Sequence, residues 1–126
     1  MQEQKFIILP GNYSLCRLAA NEQIPVWVFT SLFYTISKSP EELSIVCESK
    51  YVPGNIQQSN GWKLLKIDAV LDLSLTGITA KFSKPLAEAG VNLCVIATFD
   101  TDYVLVPEEK LSVATRALQN EGFIVE

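Results

Sequence analysis

The 126-residue chain has no histidine, only three cysteines and no long apolar run. Without an imidazole, the chain cannot form a Ser-His-Asp triad, a Cys-His dyad or an HExxH zinc helix. Cys16, Cys47 and Cys94 form no C-x-x-C pair, so zinc and thiol-exchange motifs are excluded and buried reduced thiols are expected. No apolar run approaches the roughly 18 to 20 residues that a membrane span requires.

The charge balance argues against nucleic acid as a partner. Ten Lys and Arg residues face fourteen Asp and Glu residues, a net charge of -4, and Lys63 and Lys66 are the nearest thing to a basic cluster. Residues 1–6 lack the basic start and apolar core of a signal peptide. We therefore expect a cytoplasmic protein with neither nucleic-acid nor membrane partners.

The second half of the chain carries a regular pattern of strands and helices. Residues 71–75 alternate apolar and polar side chains, which is typical of a strand with one buried face. Residues 77–89 carry an apolar stripe at helical spacing, with a kink or a helix restart expected at Pro85. The remaining pattern predicts strands at 91–97 and 103–106, a helix between Pro107 and Gly122, and a strand at 123–125.

The first half has strands but poor helices. Residues 33–37 and 43–47 predict a hairpin with its turn at 38–41. Residues 25–30 allow a brief helix, and 49–61 allow a turn at most, because this segment contains proline, glycine and asparagine. Residues 62–67 predict a strand that closes the first half, and 6–9 predict an extra strand at a sheet edge.

An internal repeat relates the two halves in this pattern. Identical residues recur at an offset of 60, as in Ser14 and Ser74 or Val46 and Val106. The second half has the β-α-β-β-α-β order, in which two helices cover one face of an antiparallel sheet. We therefore predict an α+β protein of two tandem ferredoxin-like units, one at 1–67 with degenerate helices and one at 68–126.

Several segments of the chain resemble the ACT domain. They are 71–78 (LDLSLTGI), 85–91 (PLAEAGV) and 96–106 (IATFDTDYVLV), with 9–11 and 41–47 in the first half. The form they resemble occurs in small bacterial proteins of two ACT-like units, in cytosolic arginine sensors and in aspartate kinase regulatory domains. The resemblance covers nearly the whole chain.

The resemblance implies that a free amino acid binds where the first strand turns into the first helix. A helix N-terminus has unpaired N–H groups that favour a carboxylate, and glycine lets the backbone approach a ligand closely. The predicted ligand-binding residues are Thr76, Gly77, Ile78, Thr98, Phe99, Asp100 and Asp102. Either aspartate would accept hydrogen bonds from the ligand's ammonium group. The arginine sensors carry a carboxylate one turn into this helix, where this chain has Ala80, so a small or apolar amino acid suits it better.

Each of these residues has a structural alternative. Gly77 also suits a helix-entry turn without a ligand, and Asp100 and Asp102 also suit hairpin capping. The two aspartates would suit Mg²⁺ or Ca²⁺ as well, but no third oxygen-rich cluster is evident, so no metal and no cofactor are expected.

The sequence thus predicts a non-enzymatic regulatory protein that binds an amino acid and forms a homodimer. The alternative is a ligand-free module that regulates a partner enzyme by docking to it. A small metal-dependent enzyme using Asp100 and Asp102 is a third hypothesis.

Overall fold

The computed structural model describes residues 4–126 and has a mixed α+β architecture, as predicted. Its strands are β1 (Lys5–Ile8), β2 (Tyr13–Leu18), β3 (Thr35–Lys38), β4 (Leu43–Glu48), β5 (Gln57–Ile67), β6 (Cys94–Ala97), β7 (Asp102–Pro107) and β8 (Ile124–Val125). Its helices are α1 (Ile78–Glu88) and α2 (Leu111–Asn120), and short 3-10 helices cover Val26–Thr30, Ser49–Tyr51 and Glu108–Lys110. The start of the predicted first unit, 1–3, lies outside the described residues. Within the described part of the chain, neither α-helix is long and apolar enough to cross a bilayer.

The chain divides into two compact units. The terminal unit comprises Pro10 and the described residues before it, together with Lys63–Glu126, and the middle unit is Gly11–Trp62. The long strand β5 supplies residues 57–62 to the middle unit and 63–67 to the terminal unit. This division differs from the predicted units at 1–67 and 68–126, because β1 groups with the second half of the chain.

The terminal unit is a five-stranded sheet in the order β6-β7-β5-β1-β8 with helices α1 and α2. Helix α1 continues through Pro85 without restarting there. The core lies between the helices and one sheet face and contains these buried side chains: Phe6, Leu65, Ile67, Phe82, Leu86, Val91, Val104, Val106, Ala114, Leu118 and Phe123. The strand and helix order from β5 to β8 is β-α-β-β-α-β.

Strand β1 occupies an interior position of this sheet, so its predicted place at a sheet edge is wrong. It pairs antiparallel with β5 on one side and parallel with β8 on the other. The Phe6 ring is fully buried and meets the rings of Phe82 and Phe123 edge-on, at centroid distances of 5.7 and 5.1 Å. A short apolar strand gains most by burial on its core face and by hydrogen bonding along both edges.

Residues 71–75 form a loop, so the predicted opening strand is wrong there. The Asp72 carboxylate accepts hydrogen bonds from the Ser74 amide at 2.8 Å and from the Ser74 hydroxyl at 2.7 Å. The Leu75 amide donates to the Asp72 carbonyl at 3.0 Å, which closes a turn. Aspartate and serine favour such local bonds over a strand ladder. The opening strand of the terminal unit is instead the second part of β5.

The middle unit is a sheet in the order β3-β4-β2-β5 with short 3-10 helices, as its weak helix pattern predicted. Strand β5 begins at Gln57, inside the segment predicted to hold a turn at most. Within the strand, Gly61 adopts φ +79° and the pairing with β2 shifts register between Tyr13 and Leu15. A bulge absorbs the extra residue there. The core consists of Cys16, Leu18, Val28, Leu43, Ile45 and Cys47. Cys16 and Cys47 are both free thiols. The pKa of Cys47 is raised, mainly by a hydrogen bond with Cys16 and also by burial.

The hairpins β3-β4 and β6-β7 have the same register. Thr35 pairs with Val46 and Cys94 pairs with Leu105, so the equivalent positions are 59 residues apart. The turn bonds also match, from Ser39 N to Glu42 O and from Thr98 N to Thr101 O, both at 2.9 Å. The predicted offset of 60 is therefore wrong by one residue here. Side chains alternate along a strand, so an offset of 60 would match opposite sheet faces.

Candidate functional site

A cavity of about 360 Å³ opens in the terminal unit beside the N-terminus of α1. It is bounded by the loop before α1, the first turn of α1 and the tip of the β6-β7 hairpin. The lining residues are Leu71, Asp72, Leu73, Leu75, Gly77, Ile78, Thr79, Ala80, Ala97, Thr98, Phe99, Thr101 and Asp102. Ligand pockets commonly measure about 300–1,000 Å³, so this volume suits a small molecule.

Gly77 sets the entry of the chain into α1. It precedes the helix in a left-handed conformation with φ +79°, and its carbonyl accepts the first helical hydrogen bond, from the Lys81 amide at 3.0 Å. No side chain caps this helix end among the described residues. The first N–H groups of an α-helix have no intrahelical acceptor, and the helix dipole adds positive potential there. This end of the cavity therefore favours a carboxylate.

The tip of the hairpin is held by threonine hydroxyls. Thr98 Oγ1 donates to the Thr101 carbonyl at 2.9 Å and accepts from the Thr101 amide at 3.3 Å. Thr101 is buried, and its own hydroxyl donates to the Ile67 carbonyl of β5 at 2.9 Å. The tip is thereby bonded both to itself and to a neighbouring strand.

The loop before α1 is tied to the same hairpin. The Leu71 amide donates to the Asp100 carbonyl at 2.6 Å. Two hydrogen bonds lower the pKa of Asp72, mainly the one from the Ser74 hydroxyl and also the one from the Ser74 amide, so this carboxyl is ionised at neutral pH. The loop brings three leucines to the cavity at 71, 73 and 75.

The carboxylates of Asp72 and Asp102 are the only charged side chains in the lining. Asp72 Oδ1 already accepts the two Ser74 bonds. Asp102 is half-buried at the start of β7, opposite Ala97, and its carboxylate has no hydrogen bond or ion pair within residues 4–126. The cavity thus combines an unpaired carboxylate with the positive end of a helix.

The structure brings five of the seven predicted site residues into the cavity: Gly77, Ile78, Thr98, Phe99 and Asp102. Thr76 is exposed outside the lining, and Asp100 contributes its carbonyl to the loop contact instead. The residues that sequence reasoning missed come mainly from 71–75. Their apolar alternation is a signal, but the same alternation is typical of a strand with one buried face.

A metal centre finds no support in the described part of the chain. No group of three or more His, Cys, Asp or Glu residues comes together there in a way that could hold an ion. Two carboxylates without a third ligand are a poor site for Mg²⁺ or Ca²⁺, which take six or more oxygen ligands.

Comparisons with known proteins identify the family of this chain. The family model of the ACT domain matches residues 58–120, half of the chain, and a second model for an N-terminal domain matches 11–55. The human and bovine proteins named cytosolic arginine sensor for mTORC1 subunit 1 are each 28% identical over 100 residues. That match covers 71% of this chain and 30% of the relatives, so the chain spans about a third of their length.

Solved structures share the fold. A crystal structure of a protein from Agrobacterium tumefaciens is 32% identical with a TM-score of 0.93, covering 100% of this chain and 94% of that one. A Vibrio cholerae protein of unknown function, described as a possible transport protein, has a TM-score of 0.77 at 24% identity, covering 95% and 91%. The regulatory subunit of aspartate kinase from Thermus thermophilus has a TM-score of 0.61 at 14% identity, covering 87% and 91%. The chain belongs to the ACT domain family.

Proposed function

We propose that this protein is a non-catalytic regulatory protein that binds a free amino acid in the cavity beside α1. Membership of the ACT family supports a regulatory role, and one relative is named as an arginine sensor and one fold neighbour as a regulatory subunit. The observation that carries the proposal is the pairing of the uncapped N-terminus of α1 with the unpaired Asp102 carboxylate in one cavity. The free N–H groups at the helix end would donate hydrogen bonds to the ligand's carboxylate, and the Asp102 carboxylate would accept hydrogen bonds from its ammonium group.

We also propose that the middle unit is a second, divergent ACT-like unit. The shared hairpin register at an offset of 59 supports this common origin. A homodimer that works in the cytoplasm completes the proposal, and the relatives are themselves named as cytosolic. Size-exclusion chromatography with light scattering would measure the oligomeric state.

The test is thermal unfolding of ligand-free protein, purified through a denatured step, with each of the twenty amino acids at millimolar concentration. A ligand present at a hundred times its Kd stabilises the folded state by about 2.7 kcal/mol, which raises the melting temperature by several degrees. We expect such a rise with a small subset of amino acids. An unchanged melting temperature with all twenty would refute amino-acid binding.

A pair of aspartate variants then locates the site. Asp102→Asn keeps the side-chain shape but removes the charge, so calorimetry should show at least tenfold weaker binding. Asp100→Asn makes the same change on the same hairpin, outside the lining, and should bind as the natural protein does. If both variants lose affinity equally, or if neither loses affinity, the ligand binds elsewhere.

A ligand-free docking module is the second candidate. Its support is three exposed apolar side chains on one short segment of the middle unit, Val26, Phe29 and Leu32. The Leu32 amide donates to Glu48 Oε1 at 2.7 Å, which ties the end of this segment to β4. Exposed patches of this kind mark interaction sites. A melting temperature that no amino acid changes would favour this candidate.

A further inference from the structure

We propose that the amino acid bound in the cavity carries an aliphatic side chain, such as that of leucine. This inference rests on the proposed function, since it specifies the ligand of the same cavity. It follows from three properties of the lining: its apolar surface, its charges and its volume.

The first property is the exposed apolar surface around the cavity. Leu73, Leu75 and Phe99 are 70%, 52% and 80% exposed, although all three line it. Apolar surface costs about 25 cal/mol for each Å² left in water. An aliphatic side chain placed among these residues would remove surface of both partners from water, whereas a charged side chain would lose its hydration there.

The second property is the charge of the lining, which disfavours an acidic ligand. The thirteen lining residues include no lysine or arginine but two aspartates. A ligand with a second carboxylate would therefore meet like charge without a counter-ion. A like charge close by costs free energy in a partly desolvated site.

The same charges do not suit a basic ligand. Asp102 is assigned to the α-ammonium group, which leaves Asp72 as the partner for a side-chain cation. Asp72 Oδ1 already accepts two hydrogen bonds from Ser74, so the two-pronged contact that a guanidinium prefers with both carboxylate oxygens would have to displace a Ser74 bond. Ala80, in the first turn of α1, adds only a methyl group to the lining.

The third property is volume. A water molecule occupies about 30 Å³ in the liquid, so 360 Å³ has room for roughly a dozen. Leucine has nine non-hydrogen atoms, and all of them fit within this space. Glycine would leave most of the apolar lining in contact with water.

The experiment is calorimetric titration of the intact, ligand-free protein with L-leucine, L-isoleucine, L-methionine, glycine, L-arginine, L-lysine, L-glutamate and L-aspartate. We expect one of the three aliphatic ligands to bind at least tenfold more tightly than any of the other five. If arginine, lysine or an acidic amino acid binds most tightly, this inference fails and the proposed function stands. If none of the eight binds, this inference fails, and the proposed function fails with it only if the melting temperature is also unchanged by the other twelve amino acids.

Two alanines of α1 provide a matched pair of specificity variants. Ala80→Asp adds a carboxylate to the lining, and we expect the ratio of the arginine Kd to the leucine Kd to fall at least tenfold. Ala87→Asp adds the same charge at an exposed site of the same helix outside the lining, and we expect that ratio to stay within twofold. If the ratio of the arginine Kd to the leucine Kd does not change in Ala80→Asp, the ligand's side chain does not lie beside Ala80 and the inference is wrong.

Phe99→Ala tests the apolar contact separately. Because Phe99 is largely exposed without ligand, the melting temperature of the free protein should not change. Leucine affinity should fall about tenfold. Undiminished leucine affinity in this variant would show that the side chain of the ligand does not contact Phe99, and the inference would be wrong.

Discussion

Gly77 adopts φ +79° at the start of α1, in a conformation that residues with a Cβ rarely take. A Cβ built there meets no atom within 4 Å, so the requirement for glycine comes from the backbone and not from crowding. The same open space lies where a ligand would approach the helix end. The residue thus serves the helix entry and leaves room for a ligand at once.

Replacing Gly77 with alanine should lower the free energy of unfolding by about 1 to 2 kcal/mol, because a Cβ is strained in the left-handed region. Gly54→Ala is the matched control, since Gly54 has no positive φ and equally open surroundings. It should be neutral or slightly stabilising. Denaturant unfolding curves measure both, and equal destabilisation would contradict the backbone explanation.

At the scale of elements, the sequence predicted helix α1, the hairpin β6-β7 and helix α2 well. These elements have long or β-branched patterns that end at glycine or proline, so local chemistry and tertiary structure agree. Five of the seven predicted site residues line the cavity, and they lie at the start of α1 and on the hairpin. Asp102 was predicted at the tip of this hairpin and lies at the first position of β7.

The wrong predictions concern two short segments, residues 71–75 and β1, whose apolar pattern does not determine their partners. Residues 71–75 alternate like a strand, but the bonds between Asp72 and Ser74 and the contact of Leu71 with Asp100 hold them as a loop. Strand β1 is four residues long, and no local signal shows that it lies between β5 and β8. An alternation of apolar and polar residues indicates that one side of the segment is buried, but it does not indicate which part of the protein covers that side.

The interior place of β1 leads to a prediction about Phe6. Phe6→Ala should lower the free energy of unfolding by about 3 to 5 kcal/mol, because it leaves a cavity between two aromatic rings. Phe99→Ala, the same substitution at an exposed site, should change it by less than about 0.5 kcal/mol. Phe6→Leu keeps most of the volume and provides a milder variant if the alanine variant does not fold. The midpoint of denaturant unfolding distinguishes these cases, and similar midpoints for the two alanine variants would place Phe6 outside the core.

At the scale of the whole molecule, the middle unit is an insertion into a β-hairpin of the terminal unit. Strands β1 and β5 pair antiparallel, with Ile8 opposite Leu65, and the Leu9 amide donates to the Leu64 carbonyl at 2.9 Å. Continuing this register brings Pro10 opposite Lys63, the points where the chain leaves and re-enters the terminal unit. A two-residue turn could connect β1 to β5, but in this chain the whole of Gly11–Trp62 makes that connection.

This topology predicts that the middle unit can be replaced by a tight turn. Joining Leu9 to Leu64 through Asn-Gly should give a continuous β1-β5 hairpin, because a type I′ turn matches the twist of paired strands. The shortened chain keeps the core around Phe6 and all thirteen residues of the cavity lining. It should unfold cooperatively and retain the amino-acid response of the intact protein.

Joining the same residues through Pro-Pro, which cannot form this turn, is the control and should be markedly less stable. Thermal unfolding with and without the amino acid measures both properties. A folded but unresponsive Asn-Gly chain would show that ligand binding needs the middle unit, and Asn-Gly and Pro-Pro chains of equal stability would refute the hairpin argument.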